Sequence, residues 1–289
     1  VTAIGLGAFR WCALKKIVVP TGIEQIENLT FEGCASLTEV VLPNTLEAIG
    51  ASSFWNCSAL ESIELPESVT AIGTGAFREC VALKKIVVPS GVECIAEEMF
   101  YECASLTEIV LSNTLKEIKR AAFAHCIALE SIELPESVTA IGSSAFSGCL
   151  SLKKIVVPDG IERIEGNMFG DCTSLTEVVL PSTLKEIRGM AFLGCIVLEN
   201  IELPESVTAI GSIAFGGCSS LKKIVVPTGV ERIEGSTFVG CSNLTEVVLP
   251  STLKEIMGMA FRNCEALKTV VLPSSLKDIG KGAFSNCPL

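Results

Sequence analysis

The chain has 289 residues, 49% of them hydrophobic, with fourteen cysteines, one histidine and a formal net charge of −11. The acidic excess disfavours nucleic-acid binding, which requires a basic surface, and suits solubility or a basic partner. The apolar runs are only a few residues long, so no segment is predicted to insert into a membrane.

Phenylalanine and cysteine recur at a fixed interval along the whole chain. All thirteen phenylalanines lie three residues before a cysteine, from Phe9 to Phe284, and after a first gap of 22 residues the cysteines of this series are 23 residues apart. A fixed period in this range is the signature of a solenoid, in which each repeat forms one coil and stacks on its neighbours. The sequence therefore predicts one repeat domain over residues 1–289.

Each repeat begins with a predicted strand. In the repeat that starts at Leu83, Ile86 and Val88 alternate around an outward residue, which is the period of a strand. Pro89 ends the strand because proline has no backbone donor. Proline fills this position in eleven of twelve repeats, with Ser112 as the exception. Twelve such strands, from Leu14 to Leu267, are predicted to form one parallel sheet.

The second half of each repeat closes the coil. Val92 and Ile95 are inward residues three apart, which suits a short or bent second extended piece. The spacing of Phe100 and Cys103 predicts a short 3₁₀ or α-helical turn, because residues i and i+3 share a face. The sheet side is the narrower one, so we expect a right-handed coil curved with the sheet on its concave side and the turns on its convex side.

The repeat position of the cysteines predicts buried thiols rather than disulfides or zinc ligands. Equivalent residues of adjacent coils lie roughly 5 Å apart with parallel Cβ vectors, whereas a disulfide needs convergent vectors at about 3.8 Å. No pair of cysteines has zinc-finger spacing, and His125 is the only histidine. We therefore predict no metal and no cofactor.

A longer period of 69 residues is superimposed on the 23-residue one. L-K-K-I-V-V-P recurs from Leu14 and Leu83, S-L-T-E-V/I-V-L from Ser36 and Ser105, and A-L-E-S-I-E-L-P from Ala59 and Ala128. These are the first, second and third repeats of a cassette. The chain begins in mid-repeat at Val1 and stops at Leu289, where another repeat would start, so about twelve repeats are predicted to lie uncapped at both ends.

The repeat resembles a known family. L-x-x-I-x-L followed by P-x-S-V-T-x-I-G-x-x-A-F-x-x-C, as at Pro135 to Cys149, is similar to the BspA-like class of leucine-rich repeats, whose 23-residue units occur in bacterial and protist surface proteins. The resemblance implies a leucine-rich-repeat solenoid located extracellularly or at the cell surface. The asparagine ladder of more familiar leucine-rich repeats is absent, since its position holds Gly91, Thr114 and Ser137, whose hydroxyls are able to bond neighbouring backbone where glycine cannot.

Two outward columns are predicted on the concave sheet. One alternates lysine and glutamate, beginning with Lys16 and Glu39, which should pair across strands. The other is our candidate partner-binding face and is named the valine column; it comprises Val18, Val41, Glu64, Val87, Val110, Glu133, Val156, Val179, Glu202, Val225, Val248 and Val271. Nine exposed valines suit a repetitive protein partner. The alternative is that β-branched residues simply favour strands.

A few residues depart from the repeat. Trp11, Trp55 and Tyr101 lie between phenylalanine and cysteine on the turn side, as contact anchors or packed against the next coil. Cys94 is off register and is either an exposed crosslinking thiol or a neutral substitution. His125 is expected to be solvated, and no catalytic constellation accompanies it.

These observations favour a non-enzymatic protein-interaction scaffold. The resemblance implies a cell-surface adhesin whose partner is an extracellular matrix or cell-surface protein. The alternative is a structural spacer, or a targeting module within a larger surface protein. Carbohydrate binding is disfavoured because the chain has only two tryptophans and one tyrosine for stacking on sugars.

Overall fold

The structure is a computed structural model that describes residues 3–289. Val1 and Thr2, which the sequence assigns to a partial repeat, lie outside the described residues. The chain divides into two compact units, residues 1–149 and 150–289. Each unit is a stack of parallel-strand coils, as expected for a leucine-rich-repeat solenoid.

Unit 1 contains two kinds of strand. The three-residue strands, termed long strands, are β1 (Lys16–Val18), β3 (Glu39–Val41), β6 (Lys85–Val87) and β8 (Glu108–Val110). The two-residue strands, termed short strands, are β2 (Gln25–Ile26), β4 (Ala48–Ile49), β5 (Ala71–Ile72), β7 (Cys94–Ile95), β9 (Glu117–Ile118) and β10 (Ala140–Ile141).

Unit 2 repeats this arrangement. Its long strands are β11 (Lys154–Val156), β13 (Glu177–Val179), β16 (Lys223–Val225) and β18 (Glu246–Val248). Its short strands are β12 (Arg163–Ile164), β14 (Glu186–Ile187), β15 (Ala209–Ile210), β17 (Arg232–Ile233), β19 (Glu255–Ile256) and β20 (Asp278–Ile279). The short strands confirm the second extended piece that the spacing of inward residues predicts.

The prediction of one continuous parallel sheet is wrong in detail. Long strands pair only in twos, joining the first and second repeats of a cassette, as in β1–β3 and β6–β8. Short strands pair in threes, as in β2–β4–β5. The third repeat has no long strand among the described residues; in unit 1 it contributes isolated bridge residues instead, such as Ser62, which pairs with Lys85.

The break in pairing follows the side chains that face each other. Between first and second repeats, Lys16 lies opposite Glu39 and Val18 opposite Val41, so both outward pairs attract. In the third repeat, a serine and Glu64 take these positions. The third repeat of the fourth cassette has Val271 instead of glutamate and also lacks a long strand, so the interruption accompanies the loss of the lysine–glutamate pair rather than the gain of Glu64.

The interior consists of columns of identical side chains. Eleven phenylalanines, from Phe31 to Phe261, are fully buried, and within each unit successive rings stack face to face. Phe77 and Phe100, for example, have ring centroids 5.7 Å apart and an interplanar angle of 6°. Leucine, isoleucine and valine columns surround this stack, so a coil buries its apolar face only against its neighbours.

The segment around each phenylalanine is a series of turns, not the predicted 3₁₀ or α-helix. Successive amides alternate between two kinds of acceptor. The amides of Glu98, Phe100 and Glu102 donate to carbonyls of the next coil at 2.9–3.0 Å. Those of Met99, Tyr101 and Cys103 donate to the carbonyl three residues back in the same coil at 3.1–3.2 Å. The residues two before and two after phenylalanine have positive φ, as for Glu98 (54°) and Glu102 (57°). This alternation stops any helix from propagating.

A hydroxyl column takes over the structural role of an asparagine ladder. Ser137 Oγ donates to the carbonyl of Leu115 in the preceding coil at 2.6 Å, and Thr114 Oγ1 donates to that of Ser90 at 2.6 Å. First repeats carry glycine at this position, and a Cβ on Gly91 would lie 3.0 Å from the carbonyl oxygen of Val69. The expected bonding of the hydroxyls to neighbouring backbone is therefore confirmed.

Candidate functional site

The long strands present the valine column to solvent. Each long strand has an exposed–inward–exposed pattern, because successive side chains of a strand point to opposite faces. All nine valines of the column are exposed: eight by 41–58%, and Val271 by 83%. Glu64, Glu133 and Glu202 are exposed as well. Within each unit, the structure thus places every residue of the predicted face on the solvent side.

The second outward column on the same face is electrically neutralised. Its four lysines each pair with the glutamate of the following coil at 2.5–2.8 Å, in the pairs Lys16–Glu39, Lys85–Glu108, Lys154–Glu177 and Lys223–Glu246. Both partners are about half exposed, so each pair adds at most about 1 kcal/mol to stability. The pairs matter more for the charge of this face than for its stability, because no lysine at these positions is left uncompensated.

Grooves lie on this face beside third repeats. A groove of about 300 Å³ in unit 1 is lined by Val41, Ser62, Ile63 and Glu64, among others. One of about 430 Å³ in unit 2 is lined by residues that include Glu202 and Val225. Another of about 430 Å³ includes Val248 and Val271. These are the places where the pairing of long strands is interrupted, and they give the face a shape that strand propensity does not predict.

The cysteine column forms a ladder of thiol hydrogen bonds. Along the column Sγ donates to the carbonyl oxygen of the phenylalanine in the preceding coil, at 3.0–3.3 Å, as Cys126 does to Phe100. Burial raises the pKa of Cys80 and Cys126 to about 12. These thiols are therefore neutral at physiological pH and serve packing.

Cys94 differs from the ladder but is not a reactive thiolate. It is half-buried, and its Sγ lies 3.8 Å from Oε2 of Glu117. Burial, together with the charge of Glu117, raises the pKa of Cys94. A high pKa disfavours the thiolate that disulfide exchange requires, so this geometry argues against the crosslinking alternative.

The turn side of unit 1 carries a cluster of aromatic and charged side chains. The Arg78 guanidinium lies between the rings of Trp55 and Tyr101, 5.6 Å and 4.5 Å from their centroids, and it also pairs with Glu98. His125 is exposed and meets Tyr101 edge-on, with centroids 5.4 Å apart. Trp55 and Tyr101 thus pack against neighbouring coils, which favours the packing interpretation for both.

Trp11 is different from the other two exceptional aromatics. Its side chain is 62% exposed, and its ring lies over Gly33, where a Cβ would collide with it. Gly33 has φ of 71°, so glycine serves both the backbone conformation and the close approach of the ring.

The sequence predicts the valine column but not the grooves and interrupted pairing at its third-repeat positions. Two of the grooves lie beside glutamates of the column, Glu64 and Glu202, where the strand pairing is also interrupted. The available signal was the change from valine to glutamate every 69 residues, together with serine in place of a charged residue two positions earlier at Ser62.

The described residues 3–289 hold no helix with the length and hydrophobicity that a bilayer-spanning segment requires. A model of the BspA type leucine rich repeat region, with six copies, matches residues 2–126, 93–195 and 164–289. Together these matches extend over almost the entire chain. No curated protein matches the chain significantly.

Solved structures of bacterial repeat proteins are similar to the chain. A leucine-rich repeat protein from Bacteroides ovatus is 32% identical, with a TM-score of 0.65 over 95% of this chain and 83% of its own. A leucine rich cell surface protein from Faecalibacterium prausnitzii is 29% identical, with a TM-score of 0.60 over 93% and 79%. A leucine-rich repeat protein from Eubacterium ventriosum, at 21% identity and a TM-score of 0.56 over 96% and 83%, shares the fold. The 23-residue period, the coil structure and the family match agree, and the chain belongs to the BspA-type leucine-rich-repeat family.

Proposed function

We propose that this chain is a non-enzymatic protein-interaction scaffold that acts as an adhesin at the cell surface. It binds a host or neighbouring-cell protein, such as a component of the extracellular matrix, through the valine column. The observation that carries the proposal is that within each unit the valines of the column are exposed beside lysines that are already paired with glutamates. A face of this kind offers apolar contact without strong competing charge.

The surface location is supported by likeness. The similar protein from Faecalibacterium prausnitzii is described as a cell surface protein. An extracellular or cell-surface position would expose the long-strand face to partner proteins, as an adhesin requires.

The proposal is tested by changing the face without changing the coil. Val87→Lys and Val110→Lys together should abolish binding of the intact chain to a panel of purified matrix proteins and to host cells. Both side chains point outward at 44% exposure, so folding should be retained. A matched control replaces Thr70 and Thr139, which are exposed residues beside the short strands, with lysine. Equal binding by the two variants would remove the valine column from the adhesive surface.

A second candidate is a spacer whose length, rather than surface, is what matters. The duplication of a 69-residue cassette favours it, since each copy adds length with the same surface. Deleting one cassette, residues 83–151, separates the two functions. Binding that weakens as cassettes are removed supports the adhesin, whereas unchanged binding supports the spacer.

A further inference from the structure

The third repeats that contain Glu64 and Glu202 combine three features of the long-strand face. They replace an exposed valine with a glutamate, they interrupt the pairing of the long strands, and they border grooves. The features arise from different properties of the chain, namely side-chain identity, backbone pairing and shape. One functional role would explain why the three features coincide.

The glutamates of the valine column are its uncompensated charges. Every lysine of the neighbouring column pairs with a glutamate of its own column. No ion pair of the described residues 3–289 involves Glu64, Glu133 or Glu202. In unit 1 the column therefore presents Val87 and Val110 between the negative charges of Glu64 and Glu133 to anything that approaches the face.

The groove beside each of two such glutamates supplies room for a side chain. In unit 1 the groove of about 300 Å³ reaches from Glu39 and Val41 to Glu64. In unit 2 the groove of about 430 Å³ places Glu202 beside Val225. Each combines an apolar wall with a carboxylate, which matches a lysine or arginine side chain: the methylene stem packs on valine and the charged end meets the acid.

The spacing of the glutamates fits an extended polypeptide that crosses the strands. Glu64 and Glu133 of unit 1 are three coils apart, which is about 14 Å at a strand spacing of about 4.8 Å. Four residues of an extended chain cover about 13 Å, and residues i, i+2 and i+4 point to the same side. Basic residues at i and i+4 would meet successive glutamates, and an apolar residue at i+2 would meet Val87 and Val110.

We propose that the valine column recognises an extended segment of a partner protein that carries lysine or arginine at every fourth residue and an apolar residue midway between them. This inference rests on the proposed adhesive function and names the chemistry of its partner. The electrostatic part supplies register and association rate, while the valines supply apolar contact.

The probe is a synthetic peptide that repeats Lys-Ser-Val-Ser, titrated against the intact chain at low salt. Its matched control repeats Lys-Val-Ser-Ser, which has the same composition and charge but turns valine to the opposite side. The first peptide should bind at least tenfold more tightly, and its affinity should fall as salt is added. Equal affinity of the two peptides would overturn the proposed register.

The variants test the carboxylates directly. Glu64→Gln, Glu133→Gln and Glu202→Gln together should weaken binding of the Lys-Ser-Val-Ser peptide about tenfold. The control removes three other exposed glutamates beside the short strands, by Glu24→Gln, Glu93→Gln and Glu162→Gln, and should leave the affinity nearly unchanged. Equal losses in the two triple variants would show general attraction of a basic peptide and overturn the inference.

The fourth cassette offers a gain-of-function test. Val271 stands where the other third repeats have glutamate, and it is 83% exposed beside a groove of about 430 Å³. Val271→Glu should raise the affinity of a peptide long enough to reach it, and no increase would count against the inference. If the valine-to-lysine variant loses partner binding but the glutamate-to-glutamine variant does not, the proposed adhesive function stands. The proposal that the partner segment is basic is then wrong.

Discussion

Raising the pH from 8 to 10.5 should sharply destabilise the folded chain, because its cysteine ladder is buried in the protonated form. Cys80, Cys126 and Cys264 are fully buried, and each donates its thiol hydrogen to a phenylalanine carbonyl of the preceding coil at 3.1–3.3 Å. Burial in an apolar column disfavours the charged thiolate and raises the pKa of each of these thiols to about 12.

The sign and size of the effect follow from proton linkage. In the unfolded chain a thiol has its ordinary pKa of 9.0, so above that pH the unfolded state loses protons that the folded state keeps. The stabilisation is complete below pH 9 and is lost as pH rises toward 12. Between pH 9 and 12 each thiol lowers the free energy of unfolding by about 1.4 kcal/mol per pH unit, and the three together lower it by about 4 kcal/mol per unit. Since a folded domain is stable by only about 5–15 kcal/mol, such a slope is easily measured.

The assay is urea unfolding, followed by far-ultraviolet circular dichroism with a reductant present, at half-unit steps from pH 7.5 to 10.5. Cys126→Ser removes one ladder thiol and should reduce the alkaline slope by about 1.4 kcal/mol per pH unit. Cys94→Ser removes a half-buried thiol outside the ladder and should change the slope less. A free energy of unfolding that stays constant between pH 8 and 10.5 would refute the buried, neutral ladder.

Two further predictions concern the coil itself. Phe100→Ala should lower the free energy of unfolding by about 3–5 kcal/mol, because the ring is fully buried and stacks on Phe77 and Phe123. Phe284→Ala, at a partly exposed ring stacked on Phe261, should cost less than half as much in the same denaturation assay, and equal costs would contradict the stacked interior. Ile213→Gly should raise the free energy of unfolding by about 0.5–1 kcal/mol, because Ile213 has φ of 61°, a region that β-branched residues avoid. Its neighbour control, Ser212→Gly, lies outside the positive-φ positions and should be neutral or destabilising, so a gain in both variants would contradict the strain at Ile213.

The sequence alone determines the coil period and the division into inward and outward residues. Stacking requires equivalent residues to coincide, so a 23-residue interval between cysteines is enough to place Phe100 on Phe77 and on Phe123. Strand alternation likewise places Val87 and Val110 outward. Proline after the strand and the short second extended piece also follow from local chemistry.

Tertiary structure decides where each backbone amide finds its acceptor. The spacing of Phe100 and Cys103 is compatible with a helix, yet the amides of Phe100 and Glu102 donate to the next coil, and only the stacked neighbour supplies those acceptors. The same dependence separates Glu64 from the paired glutamates. Its sequence context shows a charge, but whether a lysine lies opposite is settled by the register between coils. Local pattern therefore defines which side of the coil a residue occupies, and inter-coil contacts define its partners.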